Sequence, residues 1–205
     1  MKYLEIKEKY PNTRIIAVSK YTTDDKIIAL HNLGQIEFGE NKVQDLTRKK
    51  LELSNKINWH FIGNLQKNKV NLLIKSQPIM WQSCVSYDMA KYVDTRLDYK
   101  LQTLLEINVA NEDSKSGITP ENAIDEYLKI KENCKNINLV GVMCIGAMSD
   151  NLHQIIKSFE LCYKIYQNLE KYDAKICSMG MSSDYEIAIK SGSNMIRLGS
   201  ILFNE

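Results

Sequence analysis

The sequence has little proline, little glycine and no large excess of charge of one sign. Its 205 residues include 3 Pro and 9 Gly, which excludes a collagen-like or low-complexity chain. Lys and Arg number 27 against 25 Asp and Glu, so the net charge of +2 gives no reason to expect nucleic acid as a partner. A chain of this length buries roughly 70% of its unfolded surface and folds without a disulfide or structural metal. We predict a single domain over residues 1–205.

Paired cysteines and long apolar runs are also absent. The five cysteines are odd in number and never form a C-x-x-C pair, which argues against a zinc knuckle and a disulfide framework. The three histidines have no mutual spacing suited to a metal. No window approaches the roughly 18 apolar residues of a membrane span, and the first residues lack the apolar core of a signal peptide. We predict a cytoplasmic protein that binds neither a metal nor a membrane.

Short apolar runs rich in β-branched residues alternate with segments of helical periodicity. The runs predict strands over 15–18, 57–62, 79–85, 101–109, 139–145, 174–179 and 194–198, and a weaker strand over 35–38. Helical periodicity is clearest over 26–33, 41–53 and 155–169. The strands are uniformly apolar, as parallel strands covered by helices are. Eight such units predict an α/β fold, the (β/α)8 TIM barrel, although a doubly wound open sheet has the same local pattern.

The first predicted strand leads into Ser19, Lys20 and Tyr21. The carboxyl ends of barrel strands surround the active site, so the Lys20 side chain would point from the rim into the barrel mouth. A lysine shielded from water there can act as a Schiff-base nucleophile, because desolvation frees its amine. An exposed loop lysine is the alternative that the pattern leaves open.

The segment 178–186 carries the strongest local signal. It passes from a strand into a helix, and the pattern S-x-x-E that begins at Ser183 is that of a capping box. Serine and glycine at a helix start leave backbone N–H groups free to face an anion, and the last predicted strand delivers Arg197, Gly199 and Ser200. Barrels often bind phosphate in the loops after strands seven and eight. These residues predict a phosphate site or, alternatively, a simple helix cap and turn.

Polar stretches around Asn41 and His60 accompany two further strands. Amide side chains can fix the substituents of an aromatic ligand through hydrogen bonds. Helix capping is the alternative for Asn41. The methionines, Met179 among them, more often fill irregular core space than bind a cofactor.

Five stretches together resemble the pyridoxal phosphate homeostasis proteins. In chain order they are A-V-S-K ending at Lys20, F-G-E-N ending at Asn41, H-F-I-G beginning at His60, S-M-G-M-S ending at Ser182, and R-L-G-S beginning at Arg197. They run from the first predicted strand to the last. The resemblance implies a barrel similar to the N-terminal domain of alanine racemase.

The resemblance also implies a cofactor, pyridoxal 5'-phosphate, held as a Schiff base by Lys20. By the same likeness, Ser182 and the backbone around Gly199 and Ser200 would bind the phosphate. A lysine amine and an anion site at strand ends are what this cofactor needs from a protein.

Arg197 would then face the pyridine nitrogen of the cofactor. An arginine there is always charged, so it would keep that nitrogen unprotonated and make the ring a weak electron sink. Asn41, His60 and Met179 match family motifs expected to line the ring.

The function that the resemblance implies is non-catalytic. The protein would sequester the reactive cofactor and pass it on, with apo-enzymes that depend on pyridoxal phosphate as possible recipients, and would act as a monomer. A single-domain amino-acid racemase is the alternative. Racemisation needs a base on each face of the substrate Cα, and the related racemase takes its second base from another domain and subunit. A phosphate-binding barrel enzyme remains a third reading if Lys20 is incidental.

Overall fold

The chain forms a closed barrel of parallel strands surrounded by helices, in a computed structural model that describes residues 2–110 and 116–203. The strands are β1 (Arg14–Val18), β2 (Glu37–Glu40), β3 (Asn58–Phe61), β4 (Met80–Cys84), β5 (Leu101–Ile107), β6 (Ile137–Cys144), β7 (Ile176–Ser178) and β8 (Met195–Leu198). They pair in chain order, and β8 closes the barrel by pairing with β1, for example at Ile196 and Ile15. The predicted TIM barrel is confirmed, and the open sheet is excluded.

Helices follow the strands and cover the outside of the barrel. Those of the described residues are α1 (Lys2–Lys9), α2 (Asp24–Asn32), α3 (Val43–Glu52), α4 (Val70–Ser76), α5 (Tyr87–Asp94), α6 (Ala123–Asn133), α7 (Leu152–Leu169), α8 (Tyr185–Lys190) and α9 (Ser200–Phe203). The predicted helical stripe along α7 is buried at Phe159, Cys162 and Leu169. Its N-terminus is capped by Asn151, whose side chain accepts a hydrogen bond from the His153 N–H.

Two apolar layers hold the barrel together. The larger lies between the strands and the helices and includes Phe38, Trp59 and Trp81. The smaller fills the barrel interior, with one residue from each of six strands: Ile16, Met80, Leu104, Met143, Ile176 and Met195. Because side chains alternate along a strand, residues two positions further along these strands also face inward. This alternation brings Gln82, Ser178 and Arg197 to the interior above the apolar cluster.

The second strand lies two residues later than predicted, at Glu37–Glu40 instead of 35–38. Gln35 is buried, but its side-chain amide donates to the backbone oxygens of Ile15 and Glu37, so it closes the turn before the strand. Gly39 is disfavoured in strands by propensity, yet it belongs to β2. A Cβ there would lie 3.0 Å from Ile16 Cγ2, so the crowded interior favours glycine.

The predicted capping box at Ser183 is wrong. Helix α8 begins at Tyr185, with Asp184 at its N-cap, and Ser183 is exposed. Asp184 Oδ1 accepts a hydrogen bond from Met181 N–H at 2.6 Å, which closes the loop before the helix. Glu186 turns outward and forms an ion pair with Lys9. The loop is therefore one residue longer than the S-x-x-E pattern indicates.

All five cysteines are buried free thiols. None of the helices in the described part of the chain is long and apolar enough to cross a membrane. Residues 2–110 and 116–203 contain no cluster of three or more His, Cys, Asp or Glu side chains that could hold a metal ion.

Candidate functional site

A cavity of about 750 Å³ opens at the carboxyl ends of the strands. This volume is within the range of small-molecule sites. The structure brings six of the eight predicted site residues to its lining: Lys20, Asn41, Ser182, Arg197, Gly199 and Ser200. They come from β7, β8, β1 and β2 and the loops after them, which are four consecutive strands of the barrel. Apolar side chains complete the lining, among them Ile62, Met143 and Ile145.

His60 and Met179 are placed elsewhere. His60 is fully buried in the barrel interior, where its ring nitrogens contact Gln82 and Glu37. Met179 is fully buried in the core between strands and helices. Met181, two residues later, lines the cavity instead. The predicted strand over 174–179 is shorter in the structure, where β7 ends at Ser178, and the sequence pattern did not indicate this end.

Lys20 and Asn41, which we call the lysine wall, follow β1 and β2. Lys20 lies in a turn closed by the Thr22 N–H, which donates to the Ser19 carbonyl. Tyr21 has φ 61°, a left-handed conformation that is costly for a bulky residue and typical of functional sites. Lys20 is exposed, so the expected shielding of its amine from water is not provided by the residues described.

A buried ion pair supports the lysine wall from behind. Lys49 Nζ donates to Glu40 Oε1 at 2.6 Å and to the Ser19 backbone oxygen at 2.9 Å. The Ser19 hydroxyl donates to the same carboxylate oxygen at 2.6 Å. Both charged side chains are almost completely buried. Because Ser19 precedes Lys20 and Glu40 precedes Asn41, this network fixes the backbone on which both cavity residues stand.

Asn41 of the lysine wall has a side-chain oxygen that a ligand could pair. Its Oδ1 is buried and has no hydrogen-bond partner among the described residues. A buried unpaired acceptor is costly, so an incoming donor such as a phenolic hydroxyl gains a ready partner here. Gly63 packs directly on the Asn41 backbone, since a Cβ at position 63 would lie 2.0 Å from the Asn41 carbonyl oxygen. Lys42, not Asn41, is the N-cap of α3, so the helix-capping alternative is excluded.

Ser182, Arg197 and Gly199, which we call the arginine wall, come from the last two strands and their loops. Ser182 Oγ accepts hydrogen bonds from the backbone N–H groups of Gly199 at 3.1 Å and Ile201 at 3.4 Å. These bonds tie the two loops together. They also use the Gly199 amide that the sequence suggested for an anion, and leave the Ser182 O–H to donate into the cavity.

Arg197 is buried, and its guanidinium is bound only to neutral oxygens in the described residues. Nη1 donates to Ser178 Oγ at 2.7 Å and to the Ser178 carbonyl at 2.9 Å, and Nη2 donates to the Cys144 carbonyl at 2.8 Å. Burial lowers the pKa of Arg197, although an arginine stays charged at physiological pH. Without a bound carboxylate, this positive charge is available to a ligand.

Glu106 is a feature that the sequence reasoning missed. It lies at the end of β5 and lines a smaller adjoining cavity, of about 270 Å³, that shares Ile62, Met143 and Ile145 with the main one. Burial raises the pKa of Glu106, and the charge of Arg197 opposes that rise. An acidic residue inside an apolar strand was the available signal.

The cavity thus combines a reachable primary amine, a buried fixed cation, a free hydroxyl donor and an apolar floor. These groups suit an anionic ligand that carries a carbonyl group. This defines a class, the barrels that bind an aldehyde cofactor at the carboxyl ends of their strands.

Comparison with known proteins gives the particular family. The family model for the alanine racemase N-terminal domain matches residues 2–205. A pyridoxal phosphate homeostasis protein of Helicobacter pylori is 43% identical over 196 residues, covering 94% of this chain and 87% of the relative. The human protein of the same name is 35% identical over 212 residues, covering 94% of this chain and 76% of the relative. The chain belongs to the pyridoxal phosphate homeostasis protein family.

A solved structure extends the comparison to a relative with its cofactor bound. PipY of Synechococcus elongatus, with pyridoxal phosphate bound, superimposes with a TM-score of 0.87 at 25% identity and 98% coverage of both chains. The same protein without the cofactor gives a TM-score of 0.91.

Proposed function

We propose that this protein binds pyridoxal 5'-phosphate covalently through Lys20 and serves its homeostasis in the cell without catalytic turnover. The observation that carries the proposal is the cavity itself, in which Lys20, Arg197 and Ser182 meet beside the unpaired Asn41 oxygen. The names of the relatives and the cofactor-bound PipY structure support the same ligand.

The residues present fit this cofactor group by group. The aldehyde of pyridoxal phosphate condenses reversibly with a primary amine and releases water. Lys20 would supply that amine, Ser182 would donate its hydroxyl hydrogen to the phosphate, and Arg197 would provide a fixed positive charge for the ring nitrogen. Asn41 Oδ1 would accept a hydrogen bond from a ring substituent, which would relieve its buried unpaired state.

The proposal that the protein is non-catalytic rests on the lack of a second base among the residues that line the main cavity. A racemase needs a base on each face of the substrate carbon. Among the described residues that line the main cavity, Lys20 and Arg197 are the charged groups, and a guanidinium does not act as a base at physiological pH. Glu106 is the acidic residue nearby, and it lines the adjoining cavity instead of the main one. The arginine also keeps the ring nitrogen unprotonated, which weakens carbanion stabilisation.

We further propose a cytoplasmic location, a monomeric state and apo-enzymes as recipients of the cofactor. Five buried free thiols suit a reducing compartment. Mixing the loaded protein with an apo-enzyme and following the gain of its activity tests the transfer, and no gain contradicts it.

Reduction with borohydride tests the covalent bond. Wild-type protein mixed with pyridoxal phosphate, reduced and digested should carry a pyridoxyl group on Lys20, and Lys20→Ala should lose it while its circular dichroism is unchanged. Lys56→Ala, an exposed loop lysine, is the matched control and should keep the adduct. A wild-type protein without the added mass contradicts the proposed covalent binding of the cofactor.

Sustained conversion of an L-amino acid to its D-form in a chiral assay contradicts the proposal that the protein is non-catalytic.

A further inference from the structure

A continuous chain of hydrogen bonds crosses the barrel interior from its amino-terminal face to Arg197. It begins with Arg14 and Glu37, the first residues of β1 and β2, whose side chains form an ion pair. It continues through His60 of β3, Gln82 of β4 and Ser178 of β7. The last three are almost completely buried.

The contacts follow one another without a gap. Arg197 Nη1 and Ser178 Oγ are 2.7 Å apart, and Ser178 Oγ and Gln82 Oε1 are 2.9 Å apart. Gln82 Nε2 lies 3.1 Å from His60 Nδ1, and His60 Nε2 lies 3.3 Å from Glu37 Oε1. The second hydrogen of the Gln82 amide points at the Met195 sulfur, 3.4 Å away.

The chemistry of arginine fixes the direction of the first bond, and the orientation of the Gln82 amide fixes the others. A guanidinium can only donate, so Ser178 Oγ accepts from Arg197. The Gln82 amide turns its oxygen toward Ser178 and its nitrogen toward His60 and the Met195 sulfur, so the Ser178 hydroxyl donates to Gln82 and Nδ1 is the accepting nitrogen of the His60 ring. Nε2 consequently carries the hydrogen and donates it to Glu37.

The electrostatic surroundings agree with a neutral His60 in that tautomer. Burial lowers the pKa of His60, against the opposing effect of Glu37. Burial alone would raise the pKa of Glu37, but the hydrogen bonds from His60 and Arg14 lower it to about 2. The chain thus ends on an ionised carboxylate, and each link has one donor and one acceptor.

We propose that Gln82, His60 and Glu37 are positioning residues for Arg197, acting through the Ser178 hydroxyl. Because the direction of each bond depends on the next, Gln82 determines where the Ser178 hydrogen points and keeps its oxygen lone pair turned toward Arg197. The guanidinium is thereby held toward the cavity in one orientation. Its role toward the ring nitrogen of the cofactor rests on the proposed function, whereas the chain itself does not.

Nitrogen-15 NMR of the cofactor-free protein tests the chain directly. The variant His31→Gln/His153→Gln leaves His60 as the single imidazole, because the sequence has 3 His. The expected spectrum shows a protonated Nε2 and an unprotonated Nδ1. A ring protonated at Nδ1, or at both nitrogens, contradicts the proposed directions of the hydrogen bonds, whether or not the cofactor binds.

Two substitutions of Gln82 test the positioning role. Gln82→Glu has nearly the same shape, and as a carboxylate it offers His60 no donor, so both ring nitrogens should become protonated. An unchanged ring spectrum, with the new carboxyl shown to be ionised by its carbon-13 shift, contradicts the proposal. Gln82→Met removes both ends of the link and should weaken binding of pyridoxal phosphate about fivefold. Gln102→Glu, an exposed residue on the neighbouring strand β5, is the matched control and should change neither readout.

The outcomes separate the two proposals. A folded Gln82→Met protein with wild-type affinity overturns the positioning role. A wild-type protein that binds no pyridoxal phosphate overturns the proposed function and with it the role toward the ring nitrogen, while the tautomer of His60 still decides the chain.

Discussion

The lysine wall and the arginine wall face one cavity but are supported by different kinds of interaction. Behind the lysine wall, the charges of Glu40 and Lys49 neutralise each other in a buried ion pair. Behind the arginine wall, Arg197 is bound by carbonyl and hydroxyl oxygens, so its charge is not neutralised by a direct partner in the described residues. The first arrangement fixes a backbone, and the second keeps a cation available for a ligand.

This difference shows how one barrel separates stability from binding. A buried ion pair costs much when one partner is removed, because the other charge stays buried without compensation. Hydrogen bonds to neutral oxygens cost less to lose. We therefore expect substitutions behind the lysine wall to act mainly on folding, and substitutions in the arginine wall to act mainly on the cofactor.

The largest expected effect is on the lysine wall. Lys49→Met leaves the Glu40 carboxylate buried and unpaired, and should lower the free energy of unfolding in urea by about 3–5 kcal/mol. Lys50→Met, the neighbouring exposed lysine of α3, is the matched control and should cost under about 1 kcal/mol. Equal losses in the two variants contradict the role of the ion pair.

The double variant Lys49→Met/Glu40→Gln sharpens the test. Since it removes both charges, it should recover part of the stability lost in Lys49→Met. A further loss would indicate that Glu40 acts independently of Lys49.

The next largest effect is a loss of stability in acid. It depends on Glu37, the carboxylate that ends the chain of hydrogen bonds behind the arginine wall. The folded-state pKa of Glu37 is about 2 against an ordinary value of 4.5. A lowered folded-state pKa stabilises the fold above pH 4.5, and the stabilisation, about 3 kcal/mol, is lost as the pH falls toward 2.

Urea unfolding at a series of pH values checks this prediction. Glu37→Gln should remove this part of the pH dependence, whereas Glu132→Gln, on the exposed face of α6, should leave it intact. An acid dependence that is unchanged in Glu37→Gln contradicts the prediction.

A smaller effect, mainly on binding, is expected in the arginine wall. Ser182→Ala removes the hydroxyl that donates to the phosphate and should weaken binding of pyridoxal phosphate about tenfold, as measured by titration. Binding of pyridoxal, which has no phosphate, should change much less. A parallel loss for both ligands would place Ser182 in loop structure instead of phosphate binding.

The smallest effect concerns the loop before α8. Asp184→Ala removes the acceptor of the Met181 N–H and should lower stability by about 1 kcal/mol in thermal or urea unfolding. Ser183→Ala should stay within about 0.5 kcal/mol, because Ser183 is exposed and caps nothing. The reverse order would restore the capping box that the sequence predicted.

The sequence, through its strand and helix pattern together with the five stretches that resemble the family, was sufficient for the barrel and for most of the cavity. Alternating apolar strands and amphipathic helices carry a local signal, and the rule that strand ends gather at one face placed Lys20 and Arg197 together. The bounds of β2 and the start of α8 were missed because Gln35 and Asp184 are fixed by contacts that propensity does not describe.

Tertiary structure alone decided which polar residues share a surface. His60 of β3 lies four strands from Ser178 of β7, yet Gln82 joins them across the barrel interior. The pairing of Glu40 with Lys49 and the unpaired oxygen of Asn41 likewise depend on distances between elements. A sequence pattern specifies which side of its own strand or helix a residue occupies, but closure of the barrel determines which residues from other strands it meets.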